Sequence, residues 1–178
     1  MIKEKVVITS NTKETQKIGE KFAKRFHLLK IVTSTKGKKA LVIALYGELG
    51  SGKTTFVQGL AHGLGIKRRI ISPTFIIMRK YKTKLPIYSS SEHQRVEKFL
   101  ENSSRQARTI DFYHIDLYRI DSIKDIKGLG IEEIINDSQN IVAIEWAEKM
   151  GKLLPEDRIN IYFENLGEDR RKIVIKGY

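Results

Sequence analysis

The chain contains the segment Gly47-Glu48-Leu49-Gly50-Ser51-Gly52-Lys53-Thr54, which fits the pattern G-x-x-x-x-G-K-[ST]. Its glycines let successive backbone N–H groups point into one concavity, because no Cβ lies in the way. The helix that such a loop opens directs the positive end of its dipole at the same place. We therefore expect this segment, called the phosphate loop below, to bind the phosphates of a nucleoside triphosphate.

The sequence on both sides of the phosphate loop supports this interpretation. Residues 40–46 are mainly apolar and read as a strand, and the residues after Thr54 read as a helix that ends at Gly63 or Gly65. In this arrangement Lys53 reaches the β- and γ-phosphates, and the Thr54 hydroxyl helps to hold Mg²⁺. A glycine-rich turn that matches the pattern by chance would lack this strand–loop–helix context.

Composition limits the class of protein. The 178 residues predict one domain spanning 1–178, and the absence of cysteine excludes disulfides and thiolate metal sites. No apolar run approaches the roughly 20 residues of a membrane span, and the first residues lack a secretory pattern, so we expect a cytoplasmic protein without a membrane segment. The net charge of +12 suggests polyanionic partners or a solvated basic surface, and charge alone leaves both open.

The N-terminal region predicts a strand at residues 5–9 and an amphipathic helix at 12–29, with Ser10 or Asn11 as its cap. The apolar residues of the helix recur at helical spacing on one face, and lysines occupy the opposite face. They are Ile18, Phe22, Phe26 and Leu29 on the first face, and Lys13, Lys17, Lys21 and Lys24 on the second. Whether this basic stripe contacts RNA is left open.

One later segment resembles a region that senses a bound phosphate, and a polar stretch follows it. In Ser72-Pro73-Thr74-Phe75 the proline breaks any helix, and a strand is expected to begin near Thr74. Thr74 is placed like a switch residue that senses a γ-phosphate or Mg²⁺, although a threonine after proline is commonly a turn residue. Residues 85–108 are polar, and we interpret them as an insertion that projects from the domain.

Two acidic residues come at the ends of predicted strands. Asp116 lies on a strand that places Phe112, His114 and Tyr118 on the same face, and it is a candidate for orienting water. Glu145 follows the apolar run at 141–144 and is a candidate for contact with Mg²⁺ or for the base that activates water. Pairing of Asp116 with Arg79 or Arg119, and simple solvent exposure of Glu145, are the alternatives.

The remaining C-terminal sequence predicts local structure and no further site. A helix at 122–136 is interrupted at Gly128 and Gly130, and two strands at 158–163 and 171–176 form a hairpin. The histidines have no metal-ligand spacing.

Several motifs in fixed order resemble the TsaE (YjeE) family: GELGSGKTTFVQGL, ISPTF, HIDLYR, GLGIEEI and IEWAEK followed by LLPEDRI. The resemblance covers about residues 6–175, except the stretch near 85–108, where family members have a much shorter turn. It implies a P-loop NTPase-like three-layer α/β sandwich with a central, mainly parallel sheet, to which the predicted C-terminal antiparallel hairpin is added. It also implies an ATPase that uses ATP and Mg²⁺ and assembles with TsaD and TsaB. Those partners transfer a threonylcarbamoyl group to adenosine 37 of tRNAs that read ANN codons, so tRNA is met through the complex.

The resemblance also assigns residues. Lys53 and Thr54 match the phosphate-loop pair, Thr74 the switch threonine, Asp116 a functional aspartate, and Glu145 the acid associated with Mg²⁺. Trp146 matches an aromatic neighbour of that acid, and the segment around Asn11 and Thr12 lies where the family contacts adenine. The remaining residues expected to contact the nucleotide belong to the phosphate loop and its helix: Glu48, Leu49, Gly50, Ser51, Gly52 and Thr55. No arginine is marked as a finger, and Arg79, Arg119 or a residue of a partner stay possible.

Two other functions use the same features. A small-molecule kinase would share the phosphate loop and needs an acceptor pocket with an arginine-rich lid. A basic RNA-binding module would bind tRNA with strong salt dependence and without response to ATP.

Overall fold

The computed structural model describes residues 4–33, 39–87 and 108–177. Strands and helices alternate along these ranges, and a short 3₁₀ helix precedes the C-terminal strands. The strands are β1 (Glu4–Thr9), β2 (Leu41–Tyr46), β3 (Met78–Ile87), β4 (Arg108–Asp116), β5 (Asn140–Glu145), β6 (Ile159–Asn165) and β7 (Arg171–Lys176). The helices are α1 (Thr12–Thr33), α2 (Lys53–Gly63), α3 (Ile123–Lys127) and α4 (Ile131–Asn136), with the 3₁₀ helix at Ala147–Leu153.

All seven described strands form one sheet in the order β1-β7-β6-β2-β5-β4-β3. The four central strands pair in parallel, β6 with β2, β2 with β5, and β5 with β4. The outer pairs are antiparallel, and β6 and β7 form the predicted C-terminal hairpin. The sheet is therefore mixed, with a parallel centre that matches the prediction and antiparallel margins.

Helices cover both faces of the sheet, which confirms the predicted three-layer sandwich. One apolar cluster joins Phe22 of α1 and Phe56 of α2 to inward residues of the strands, such as Phe112. A second cluster joins α3, α4 and the 3₁₀ helix to the opposite face, where Val142 and Ile144 of β5 are fully buried. Because the central strands are covered on both faces, they carry continuous apolar runs, as buried parallel strands do.

Helices α1 and α2 approach each other at the level of their backbones. A Cβ placed on Gly59 of α2 would lie 1.9 Å from the carbonyl oxygen of Gln16 in α1, and one on Gly19 would lie 2.2 Å from the carbonyl oxygen of Phe56. Glycine is needed at these positions because any side chain would force the helices apart. This contact fixes α2, and with it the phosphate loop, against the N-terminal part of the chain.

Replacing Gly59 with alanine is expected to destabilise the protein by about 2 kcal/mol or more, because overpacking against the backbone outweighs the better helix propensity of alanine. Gly128→Ala is the matched control, since a Cβ there meets no atom within 4 Å. Urea unfolding followed by circular dichroism measures both variants, and the control is expected to stay within about 0.5 kcal/mol of the wild type. Equal stability of the two variants would contradict the close helix contact.

Two expectations about element boundaries differ from the structure. The strand expected near Thr74 begins at Met78, because the N–H groups of Ile76 and Ile77 donate to the carbonyl of Pro73 and form a turn instead. Residues 85–87 and 108, which we expected to belong to a projecting insertion, instead belong to β3 and β4, where Ile87 pairs with Arg108. Residues 88–107 lie outside the described ranges.

No helix in the described part of the chain combines the length and the apolar character that a membrane crossing requires.

Gly128 and Gly130 interrupt the predicted helix as expected, which separates α3 from α4.

Candidate functional site

The carboxyl ends of three central strands meet at one edge of the sheet. Leu45 of β2 pairs with Glu145 of β5, and Glu145 pairs with Asp116 of β4. The phosphate loop follows β2 at this same edge, and β2 lies between β5 and β6 in the sheet. Ligands of open α/β sheets bind at such an edge, outside the carboxyl ends of the strands.

The phosphate loop is packed tightly against the C-terminal hairpin. Gly47 has φ 135°, and a Cβ at this position would lie 2.4 Å from the carbonyl oxygen of Phe163 in β6. Glycine is required here on both grounds, because the backbone conformation and the lack of space exclude a side chain. The loop ends at Gly52, where α2 begins and directs its N-terminal end into the cavity above the loop.

The Lys53 side chain folds back over the phosphate loop. Its Nζ donates to the carbonyl oxygens of Gly47 and Glu48, at 2.5 and 2.9 Å, and lies 4.1 Å from the centre of the Trp146 ring. Lys53 is only 4% exposed, and burial lowers the pKa of its ammonium group, while nearby carboxylates, led by that of Glu145, oppose the shift. The nearby carboxylates compensate the buried positive charge of Lys53 only in part, and a bound phosphate would supply further negative charge.

Glu145 lies between two hydrogen-bonding side chains. Its Oε2 accepts from the Thr54 hydroxyl at 2.8 Å, and its Oε1 lies 2.7 Å from Nε2 of His114. The carboxylate is 3% exposed and His114 is fully buried. The solvent-exposed alternative for Glu145 is therefore wrong.

Asp116 gathers the segment that contains Thr74. The hydroxyls of Ser72 and Thr74 both donate to Oδ2 of Asp116, and the backbone N–H of Tyr118 donates to its Oδ1 at 3.0 Å. None of the hydrogen bonds and ion pairs that Asp116 makes with described residues involves an arginine, so the alternative pairing is not observed there. Arg119 instead lies over the ring of Phe75, 4.2 Å from its centre.

Two residues beside these acids have a left-handed backbone. Trp146, directly after Glu145, has φ 58°, and Ile77, between Thr74 and β3, has φ 65°. A positive φ is costly for large or β-branched side chains and is retained where the surrounding structure enforces it. The backbone N–H of Asp116 donates to the carbonyl of Ile77, so the strained turn is tied to the functional strand.

One cavity of about 340 Å³ brings most of the predicted residues together. Its walls include the predicted Thr12, Leu49, Gly50, Ser51, Gly52, Lys53, Thr54, Thr55, Thr74, Asp116, Glu145 and Trp146. They also include five residues that the sequence did not single out as site residues: Thr15, Ser72, Tyr118, Asp169 and Arg171. The sequence offered a signal for Ser72 and Tyr118, which belong to the SPTF and HIDLYR motifs, whereas Asp169 and Arg171 arrive only because the hairpin folds back.

Asn11 and Glu48, expected to contact the nucleotide, do not line this cavity. Asn11 caps α1, because its Oδ1 accepts the backbone N–H of Glu14 at 2.9 Å and its side chain is thereby engaged. The Glu48 side chain is exposed, and this residue contributes its carbonyl oxygen to Lys53.

The donors at this site suit Mg²⁺. The described residues contain no cluster of three or more metal-ligating His, Cys, Asp or Glu side chains. Mg²⁺ does not need such a cluster, because it commonly binds one or two protein oxygens together with substrate phosphates and water. The Thr54 hydroxyl and the Glu145 carboxylate, 2.8 Å apart at the mouth of the phosphate loop, provide such oxygens.

A second cavity, of about 670 Å³, lies between α1 and the segment that follows α2. Five cationic side chains line it: Lys13, Lys17, Lys67, Arg68 and Arg69. None of them makes an ion pair with a described residue, and the one acid of the lining, Glu20, is bound to Lys24 and His62. We call this region the basic groove.

Comparisons with known proteins place these features in a family. The model for "Threonylcarbamoyl adenosine biosynthesis protein TsaE" matches residues 9–173. The chain is 30% identical over 165 residues to the tRNA threonylcarbamoyladenosine biosynthesis protein TsaE of Bacillus subtilis, covering 93% of this chain and 80% of that protein. It is 32% identical over 134 residues to the protein of the same name from Treponema pallidum, covering 75% of this chain and 80% of that one. The crystal structure of YdiB from Bacillus subtilis superposes with a TM-score of 0.64 at 28% identity, covering 99% of this chain and 86% of that one.

Proposed function

The chain belongs to the TsaE family, and from this membership we propose that it is a Mg²⁺-dependent ATPase required to form threonylcarbamoyladenosine at position 37 of tRNAs that read ANN codons. It acts as one domain that associates with TsaD and TsaB in an ATP-dependent manner, and its turnover without them is weak. The observation that carries the proposal is the meeting of Lys53, Thr54 and Glu145 at one phosphate loop. We also propose that it works in the cytoplasm.

In this proposal the chain's own groups bind and orient ATP. Lys53 turns from the loop carbonyls to the β- and γ-phosphates, and the amides of the phosphate loop with the N-terminal end of α2 bind the remaining phosphate oxygens. Thr54 and Glu145 hold Mg²⁺, which when bound neutralises charge on the β- and γ-phosphates. Water attacks the γ-phosphorus and the bond to the β–γ bridging oxygen breaks, which yields ADP and phosphate.

Thr74 and Asp116 provide a means of sensing the γ-phosphate. The Thr74 hydroxyl donates to Asp116, and a γ-phosphate competes for the same hydroxyl. Release of Thr74 leaves Ser72 as the one hydroxyl donor to Oδ2 of Asp116 and opens a second acceptor position on that oxygen, which can orient the attacking water. The same segment carries Phe75, which is 82% exposed, so a change at Thr74 alters a surface that a partner protein can contact.

The proposed function is tested by capture of the purified chain on TsaD–TsaB with ATP, with ADP and without nucleotide, together with phosphate release. We expect capture to depend on the nucleotide and phosphate release to increase when the partners are added. Capture that ignores the nucleotide would contradict the proposed ATP-dependent association. Transfer of phosphate to a small-molecule acceptor instead of water would favour the kinase alternative.

The basic groove favours direct contact between this chain and the tRNA backbone as a second component of its function. Changing Lys13, Lys17, Lys67, Arg68 and Arg69 together to glutamine is expected to weaken tRNA binding. The slope of log affinity against log salt should become shallower by about 0.7–0.9 for each tRNA phosphate that the variant no longer neutralises. The measurement is a tRNA-binding titration at several salt concentrations.

A control for the basic groove removes the same charge elsewhere, with Lys124, Lys127, Lys152, Lys172 and Lys176 changed to glutamine. Equal affinity and equal salt slope in the two five-residue variants would assign the groove to the solvated surface.

A further inference from the structure

We propose that His114 is a positioning residue for this site: it fixes the Glu145 carboxylate so that one of its oxygens stays directed at the Mg²⁺ position. This inference rests on the proposed function, because it concerns the metal that ATP brings to the site. It follows from the only hydrogen bond from a described residue to Oε1 of Glu145, that of His114 Nε2 at 2.7 Å.

The sheet places the two side chains together. His114 precedes Asp116 by two positions on β4 and shares its face, and Asp116 pairs with Glu145 on the neighbouring strand. The register places the two side chains diagonally on one face of β4 and β5, and their contact at 2.7 Å spans that offset. His114 therefore reaches Glu145 from behind the site, without contact with the cavity that receives the phosphates.

Burial makes the orientation of this carboxylate depend on His114. A buried carboxylate needs hydrogen-bond donors, and among the described residues Glu145 has two, the Thr54 hydroxyl and the His114 ring. The Thr54 hydroxyl would itself belong to the Mg²⁺ site, whereas His114 is the donor to Glu145 that lies outside it. Oε1 is then held, and Oε2 stays directed at the metal.

The other ring nitrogen of His114 agrees with this assignment. An ionised carboxylate only accepts hydrogen bonds, so Nε2 carries the hydrogen that binds Glu145. Nδ1 is buried and has no hydrogen-bond partner among the described residues. The ring therefore makes its single hydrogen bond with a described residue through Nε2, to Glu145. Partners of this kind, which orient a metal ligand through its second oxygen or nitrogen, typically change metal affinity by about 10- to 100-fold when removed.

The test compares three variants at position 114. Leucine removes the donor, asparagine is too short to place its amide nitrogen where Nε2 lies, and glutamine can place it there. His62→Leu is the control, because the His62 side chain is largely exposed, lies in the last turn of α2 and does not line the nucleotide cavity. Trp146, the single tryptophan, lines the cavity and reports binding through its fluorescence without any need for turnover.

Two titrations and a melting temperature are recorded for each protein: ATP in the presence of EDTA, and Mg²⁺ at a fixed ATP concentration. We expect His114→Leu and His114→Asn to raise the Mg²⁺ concentration at half-saturation by about 10- to 100-fold. The affinity of these two variants for ATP in EDTA should stay within about threefold of the wild-type value. His114→Gln and His62→Leu should stay within the same limit in both titrations.

The outcomes separate the alternatives. An unchanged Mg²⁺ requirement in a folded His114→Leu or His114→Asn variant would overturn the positioning role. Equal shifts in the Mg²⁺ requirement of His114→Asn and His114→Gln would also overturn it, because they would indicate an effect of packing alone. The comparison of these two variants decides the question if His114→Leu does not fold. If the wild type itself bound ATP without any response to Mg²⁺, the proposed function would fail first, independently of His114.

Discussion

Replacement of Glu145 by alanine is expected to slow ATP hydrolysis by about 10²- to 10³-fold, the usual loss when one preorganised electrostatic contact to a phosphoryl-transfer site is removed. The carboxylate is the acid that faces Thr54 at the mouth of the phosphate loop. Its removal takes away a proposed Mg²⁺ ligand and leaves the buried His114 ring without its partner. Single-turnover phosphate release, measured with the partner proteins present, gives the rate of the chemical step.

The control for Glu145 is Glu164→Ala. Glu164 lies on β6, is exposed, and pairs with Lys172 at the surface, so its loss should leave hydrolysis unchanged. Substantial hydrolysis by a folded Glu145→Ala protein would remove Glu145 from the mechanism.

Lys53→Met is expected to cause the second large loss. A charge-assisted hydrogen bond contributes about 1.5–3 kcal/mol, so ATP affinity should fall by about 10- to 150-fold. Hydrolysis should fall by about 10²- to 10³-fold, because in the proposed mechanism Lys53 also stabilises charge on the transferred phosphate. Methionine keeps the aliphatic stem of Lys53 beside Trp146, which limits the effect on packing. Isothermal titration calorimetry measures the affinity without relying on the tryptophan that Lys53 contacts.

Lys172→Met is a suitable control for Lys53, because it also removes one lysine charge, but from an exposed ion pair on β7. We expect the control to bind ATP like the wild type. Undiminished ATP affinity in Lys53→Met would show that the phosphate loop does not bind the triphosphate through this lysine.

Much of the architecture was predictable because it is encoded by local patterns. The apolar run of β2, the glycines and lysine of the phosphate loop, and the start of α2 follow one another without interruption, so their chemistry and structure are read together. The two faces of the sheet could be predicted from the alternation of side chains along β4 and from the continuous apolar run of β5. The interruption between α3 and α4 follows from its two glycines.

Other parts could not be predicted because tertiary contacts decide them. Residues 70–78 are rich in isoleucine and read as the approach to a strand, yet Thr74 is drawn into hydrogen bonds with Asp116, and the strand starts later. Asn11 caps α1, as one of the two capping candidates, but its absence from the wall of the nucleotide cavity was not predictable. Arg171 lines the site although its sequence neighbourhood is only that of a surface hairpin, since its position depends on how β7 returns beside the phosphate loop.

The pairing of β3 with β4 has a consequence for how this family can change over time. Ile87 and Arg108 lie opposite each other at one end of the hairpin, whereas Met78 pairs with Ile115, next to Asp116, at the other. The two ends are separated by roughly 30 Å at the rise of an extended strand. Substitutions, insertions or deletions between residues 87 and 108 are therefore expected to leave the reacting groups in place. The hairpin end is a place where evolution, or an engineer, can attach new recognition to an unchanged chemical centre.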